Sequence, residues 1–241
     1  MGPEHKQTLQ SRHNFAYWTA KAGDPAAARD LLSAQLPIEE SVLGTEHPHT
    51  LMTRHNLARW TGEAGDPAGA RDLLSALLPV RERVLGTEHP DTLITRHYLA
   101  QWTGKAGDAE GARELLVDLL PLRERILGPE HPQTLKTRHE IARWTGEAGD
   151  PARARDLLCA QLPVEERVLG LEHPDTLRTR HNLAKWTGEA GNAPAARHQL
   201  AVLMPVVERV LGPEHPDTQA ARASFVYWTR KAAGGSGSAM D

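Results

Sequence analysis

Thirteen histidines offer this chain more chemistry than any other residue type. Most fall into two series. His47, His89, His131, His173 and His215 each sit in a Glu-His-Pro triplet, while His55, His97, His139 and His181 each follow an arginine. Imidazoles can bind zinc, carry protons or hold hydrogen bonds, and spacing decides among these roles. Members of a series stand 89 − 47 = 42 residues apart. On successive helical units that is at least one packing distance, ~8–10 Å for each helix crossed. One ion with bonds of ~2 Å cannot gather them. His139-Glu140 opens the H-E-x-x-H pattern of a zinc-binding helix, but Arg143 stands where the second histidine is needed. Hydrogen bonding at junctions or in a groove is the better reading, with a proton-sensitive ladder left open. Gly104-Lys105 lacks both the upstream glycine and the hydroxyl residue of a phosphate-binding loop. The single cysteine, Cys159, permits no internal disulfide and reads as an inert small residue, since other units carry Ser75, Val117 or Ala201 there. No nucleophile–base–acid set stands out, so neither catalysis nor a metal or cofactor is expected.

The elements that position these residues come from one repeated unit. Gly86 to Leu127 reads GTEHPDTLITRHYLAQWTGKAGDAEGARELLVDLLPLRERIL, and copies begin at Gly2, Gly44, Gly128, Gly170 and Gly212. Trp18, Trp60, Trp102, Trp144, Trp186 and Trp228 keep the same beat. Self-similarity at a period of ~20–50 residues is the signature of a solenoid. Within the copy from Gly44, Pro48 suits a first helical position and Gly65 a left-handed stop. Asp66-Pro67 then caps a second helix at once, giving a tight helical hairpin. Apolar residues at Ala70, Leu73, Leu74, Leu78, Val84 and Leu85 mark the second helix's buried stripe. Pro79, with Pro37, Pro121, Pro163 and Pro205, falls inside it. An interior proline removes one hydrogen bond and costs ~3 kcal/mol. One long, kinked helix is nevertheless expected, because both flanks are helical in pattern. Tryptophan invariance beside Ala58 points to inter-helix core. Arg54 and Glu82 with their equivalents are expected to pair across helices.

A net charge of −3 leaves no basic surplus for nucleic acid or an anionic membrane. No apolar run approaches the ~18 residues that span a bilayer, and the start lacks a secretory pattern. A cytoplasmic setting is expected. The repeats are assigned to residues 2–232 as one domain. Residues 233–241 read as flexible linker and cloning scar.

The spacing of Leu57-Ala58, Gly65-Asp66, Ala70 and Leu74 resembles the tetratricopeptide repeat. The 42-residue length and the LGxEHPxTL junction, Leu85 to Leu93, look more narrowly like the repeats of kinesin light chain and its bacterial relatives. The resemblance implies an all-α, right-handed solenoid of five hairpins plus a final helix. It further implies a protein-binding scaffold whose first helices line a concave groove for a peptide.

Three positions of the first helix vary among copies: Gln10, Met52, Ile94, Lys136 and Arg178; Asn14, Asn56, Tyr98, Glu140 and Asn182; Tyr17, Arg59, Gln101, Arg143 and Lys185. Spaced i, i+4, i+7, they share one helix face. That face either drifts freely in solvent or lines the groove. The resemblance gives the asparagines a role on the ligand's backbone, and the basic residues suit an acidic segment. End-to-end self-association through Phe225, Val226 and Trp228 is the alternative, since the array reads as lacking polar caps. A regulatory array of an NTPase signalling protein, or an engineered scaffold, are further ones.

Overall fold

Proline, glycine and aspartate punctuation sets the helix boundaries. The computed structural model describes residues 5–235, and these form helices without strands. First helices are α1 (Lys6–Lys21), α3 (Pro48–Glu63), α5 (Pro90–Lys105), α7 (Pro132–Glu147) and α9 (Pro174–Glu189). Their partners are α2 (Pro25–Leu43), α4 (Pro67–Leu85), α6 (Ala109–Leu127), α8 (Pro151–Val168) and α10 (Ala193–Leu211). A last first-type helix, α11 (Pro216–Gly235), follows. It continues past the boundary expected at 232. The rest of the expected tail, from 236, and residues 1–4 lie outside the described residues.

Each hairpin turns on a glycine with φ near +100°, such as Gly65 at +99°. That left-handed backbone disfavours a side chain. The second helix then starts on an acid or amide cap: Asp66 Oδ1 accepts from the Gly69 N–H at 2.8 Å. Asp24, Asp150 and Asn192 act likewise. The second helices run unbroken through Pro37, Pro79, Pro121, Pro163 and Pro205.

The chain divides into two compact units, Met1–Leu122 and Arg123–Asp241. In the first, α2 packs between α1 and α3, and α4 between α3 and α5; in the second, α8 and α10 are flanked alike. Trp60, Trp102, Trp144, Trp186 and Trp228 are buried, at 1–5% exposure. For Trp102 and Trp228 the reason lies in the preceding hairpin. A β-carbon placed on Gly62 would stand 2.6 Å from the Trp102 ring, and one on Gly188 2.5 Å from Trp228, so the indole lies directly on bare backbone. Trp18, 67% exposed, departs from the expected core role because no hairpin precedes α1 among the described residues. Trp228 and the partly buried Phe225 pack into their own unit, whereas Val226, the third residue expected to meet another chain, is 48% exposed.

The second helix's buried stripe also differs from the expected one. It runs Ala70, Leu74, Leu77, Arg81, while Leu73 and Val84 are exposed. That is the i, i+4, i+7, i+11 line, and it ends on a charge. Arg81 donates from Nη1 to the Asp91 carbonyl and Thr95 Oγ1, both 2.8 Å, and from Nη2 to the Leu51 carbonyl at 3.0 Å. One guanidinium therefore ties α3, α4 and α5. Arg123, Glu39 and Glu165 occupy the same position and are buried too. Where it is glutamate, a glutamine stands one turn earlier. Gln161 donates to the Leu135 carbonyl at 2.9 Å and to Glu165. Gln35 does the same with Leu9 and Glu39. Burial pushes the Glu165 carboxyl above its ordinary range and lowers Arg123 to about 10.

At α11 three places break the repeat. Exposed Gln219 replaces a buried leucine (Leu177 in α9), Val226 a buried alanine (Ala184), and Arg230 a glycine (Gly188). Gln219 faces solvent and donates to the Pro213 carbonyl at 2.9 Å, while Val226 and Tyr227 on the same helix are exposed as well.

Candidate functional site

The Glu-His-Pro histidines begin the site by starting its helices. Nδ1 of His47, His89, His131, His173 and His215 accepts from the backbone N–H two residues on, at 3.1–3.2 Å. Histidine lies outside the usual capping set of Ser, Thr, Asp and Asn, so composition alone does not announce this role.

The second histidine series forms the floor of the variable face. His139 Nδ1 meets Thr179 Oγ1 at 2.9 Å, and its Nε2 meets Asn182 Nδ2 at 2.9 Å. His13 joins Thr53 at 3.2 Å and Asn56 at 3.0 Å in the same way. His55 touches Thr95 Oγ1 at 3.4 Å and the edge of Tyr98, whose ring centroid is 5.2 Å away. His181 Nε2 reaches Ser224 at 2.9 Å. An amide N–H can only donate, so the imidazole nitrogen facing each asparagine accepts, and the ring is neutral with its proton on Nδ1. Burial enforces this: His13 and His139, the rings against Asn56 and Asn182, are lowered first by desolvation, His139 to about 3. His55 is lowered to about 3 by the same cause, and nearby cations add to it, among them Arg59 at His55 and Arg143 at His139. Each such amide is thus oriented, with Oδ1 left to accept.

The expected face residues separate by environment. Gln10, Met52, Ile94, Lys136 and Arg178 are all exposed. Asn56, Tyr98, Glu140 and Asn182 are half-buried on the histidine floor, with Asn14 exposed. In the third set, Arg59 stacks on its neighbour Trp60 at 4.4 Å and reaches the Tyr98 ring at 5.7 Å. Arg143 lies over Trp144 at 4.5 Å, and Lys185 over Trp186 at 4.1 Å. Such contacts fix the cations and add ~0.5–2 kcal/mol each. Tyr17 meets Trp60 edge-on at 6.2 Å, and Gln101 is half-buried.

Charge on the face is more balanced than the sequence suggests. Arg143 pairs with Glu140 at 3.4 Å, Lys185 with Glu147 at 2.8 Å, and Arg178 with Asp175. Among the face's cations, Lys136 and Arg59 pair with no carboxylate among the described residues. The arginines expected to pair across helices do so: Arg54 with Glu40, Arg96 with Glu82, Arg138 with Glu124, Arg180 with Glu166 and Arg222 with Glu208, at 2.5–2.6 Å. No group of three metal-binding side chains converges among the described residues. Nor is any described helix long and apolar enough to cross a membrane.

Tetratricopeptide-repeat models match residues 7–82, 63–124 and 105–160, and a second such model matches 176–217. No curated protein matches the chain in sequence. Among solved structures, a candidate kinesin light chain from Podosopora anserina with nearly identical TPR-like repeats is 29% identical. The match covers 87% of this chain and 98% of that one, with a TM-score of 0.74. BtubC (BKLC) from P. vanneervenii is 16% identical over 87% and 83% of the two chains, with a TM-score of 0.69, and shares the fold. So does a Rap protein complexed with competence and sporulation factor, 10% identical over 92% and 64%, with a TM-score of 0.66. The architecture is an all-α solenoid of helix–turn–helix repeats.

Proposed function

Because the chain belongs to the tetratricopeptide-repeat family, with a kinesin-light-chain-like structure among its neighbours, we propose that it is a non-enzymatic scaffold. Its first helices hold an extended peptide segment of a partner protein. One observation carries the reading: buried neutral histidines orient the Asn56 and Asn182 amides, so that Oδ1 can accept from a peptide N–H. A merely solvated face has no use for amides fixed from beneath. A distant Rap neighbour complexed with competence and sporulation factor agrees with a binding use of the fold. An acidic segment remains the favoured chemistry through Lys136 and Arg59. Its charge term is small, because Arg143, Lys185 and Arg178 already have carboxylates.

The test is selection of displayed random peptides on the full chain, followed by titration of the selected peptide. Asn56→Ala and Asn182→Ala should each weaken binding about tenfold, the worth of one lost buried hydrogen bond. Arg29→Ala, on a second helix, should change nothing. Unchanged affinity in both asparagine variants defeats the reading. Lys136→Glu should reduce affinity and flatten its salt dependence. If it does neither, the preference for acid fails while the groove survives.

A further inference from the structure

In the first unit the variable face carries a cation that meets no carboxylate among the described residues. Arg59 lies against two rings, its Cζ 4.4 Å from the centre of Trp60 and 5.7 Å from that of Tyr98. Its Nε is buried and makes no hydrogen bond among the described residues. The terminal nitrogens, Nη1 and Nη2, are the part left to act, and they form a fork that grips a carboxylate through two parallel N–H···O bonds. Two turns toward the start of α3 the chemistry becomes apolar. Met52 and Ile94, its equivalent in α5, are 39% and 40% exposed. The two helices meet on this face, where the His55 and Tyr98 rings stand 5.2 Å apart, so the two apolar side chains form one row. Asn56 lies between that row and the cation, its amide oriented by His13 at 3.0 Å. The second unit has a different order: Lys136 and Arg178 hold the apolar places, while Arg143 and Lys185 already have carboxylates.

We infer that the first unit reads an aliphatic and an acidic residue three positions apart in the bound peptide, an inference that rests on the peptide-holding role proposed above. Helix geometry sets the spacing. Met52 and Arg59 are 59 − 52 = 7 residues apart, and at ~1.5 Å per residue the row and the cation are separated by ~10 Å along α3. A pleated strand turns alternate side chains to one side, so its matching pairs fall at ~7 Å or ~13 Å. A polyproline II chain turns every third side chain to one side at ~3.1 Å per residue, and so delivers a pair at ~9 Å. That conformation also leaves its N–H groups without internal partners, so one between the two side chains is free for Asn56 Oδ1. Leucine, isoleucine, valine or methionine suits the Met52–Ile94 row, and aspartate or glutamate suits the guanidinium by charge.

The measurement is the position-by-position composition of displayed random peptides selected on the full chain. The best sequence is then remade as a synthetic peptide with an amidated C-terminus, so that a side-chain carboxylate is the one tested. An aliphatic and an acidic position three apart should be enriched. Arg59→Glu should weaken the synthetic peptide about tenfold, with most of the loss recovered when the peptide's acid is replaced by lysine. A repeat selection on Arg59→Gln should lose the acid and keep the aliphatic residue. Selection on the double variant Met52→Lys, Ile94→Lys should do the reverse. A pair enriched at two, four or seven positions, no enriched acid, or Arg59→Glu without effect overturns the inference. In those cases Asn56→Ala still weakens binding. Peptides indifferent to both Asn56→Ala and Asn182→Ala, or a selection that returns no peptide, defeat the peptide-holding role and the inference with it.

Discussion

Single atoms decide the junctions. Gly62 and Gly188 let an indole touch backbone, so Gly62→Val should destabilise the fold by about 1–3 kcal/mol through overpacking, measured by denaturant unfolding. The buried histidines give a second prediction. His55 and His139 have folded values of about 3 against an ordinary 6.5. The unfolded chain therefore binds more protons between those limits. Their stabilisation is complete above about pH 6.5 and is lost as pH falls toward 3, at no more than ~1.4 kcal/mol per pH unit for each ring. Glu165 works in the opposite sense. Its carboxyl is raised in the fold, so the cost of burying it lessens as pH falls. Denaturant midpoints from pH 7 to 4 should decline, and less steeply in His139→Asn.

At the scale of the helix, punctuation was legible and partnership was not. Pro48, Gly65, Asp66 and Pro67 mark boundaries because each restricts its own backbone, and the structure breaks there. Continuity through Pro79 followed from the pattern on both sides. An exposed proline in mid-helix still leaves a carbonyl without its usual donor, so Pro79→Ala should raise stability by ~1–2 kcal/mol in thermal unfolding. Arg81 defeated the reading of the stripe, since an arginine on an apolar line looks like its polar edge. Its acceptors lie 10, 14 and 30 residues away, in helices on either side. The variable face behaved similarly. Its residues could be named from differences among copies, but Glu147, which neutralises Lys185, is 38 residues distant.

Across the molecule, each tryptophan–glycine contact belongs to adjacent hairpins only, the arrangement of a quasi-one-dimensional array. Gly62 with Trp102 and Gly188 with Trp228 share no partner. The double variant Gly62→Val, Gly188→Val should therefore lose the sum of the single losses to within ~0.5 kcal/mol, measured in the same denaturant series. The altered residues of α11 bear on what a further unit of this sequence would meet there. Duplicating an interior 42-residue stretch reproduces every indole with a bare backbone to rest on. A duplicate set after Arg230 would drive an indole into a guanidinium and a new helix against Val226 and Gln219.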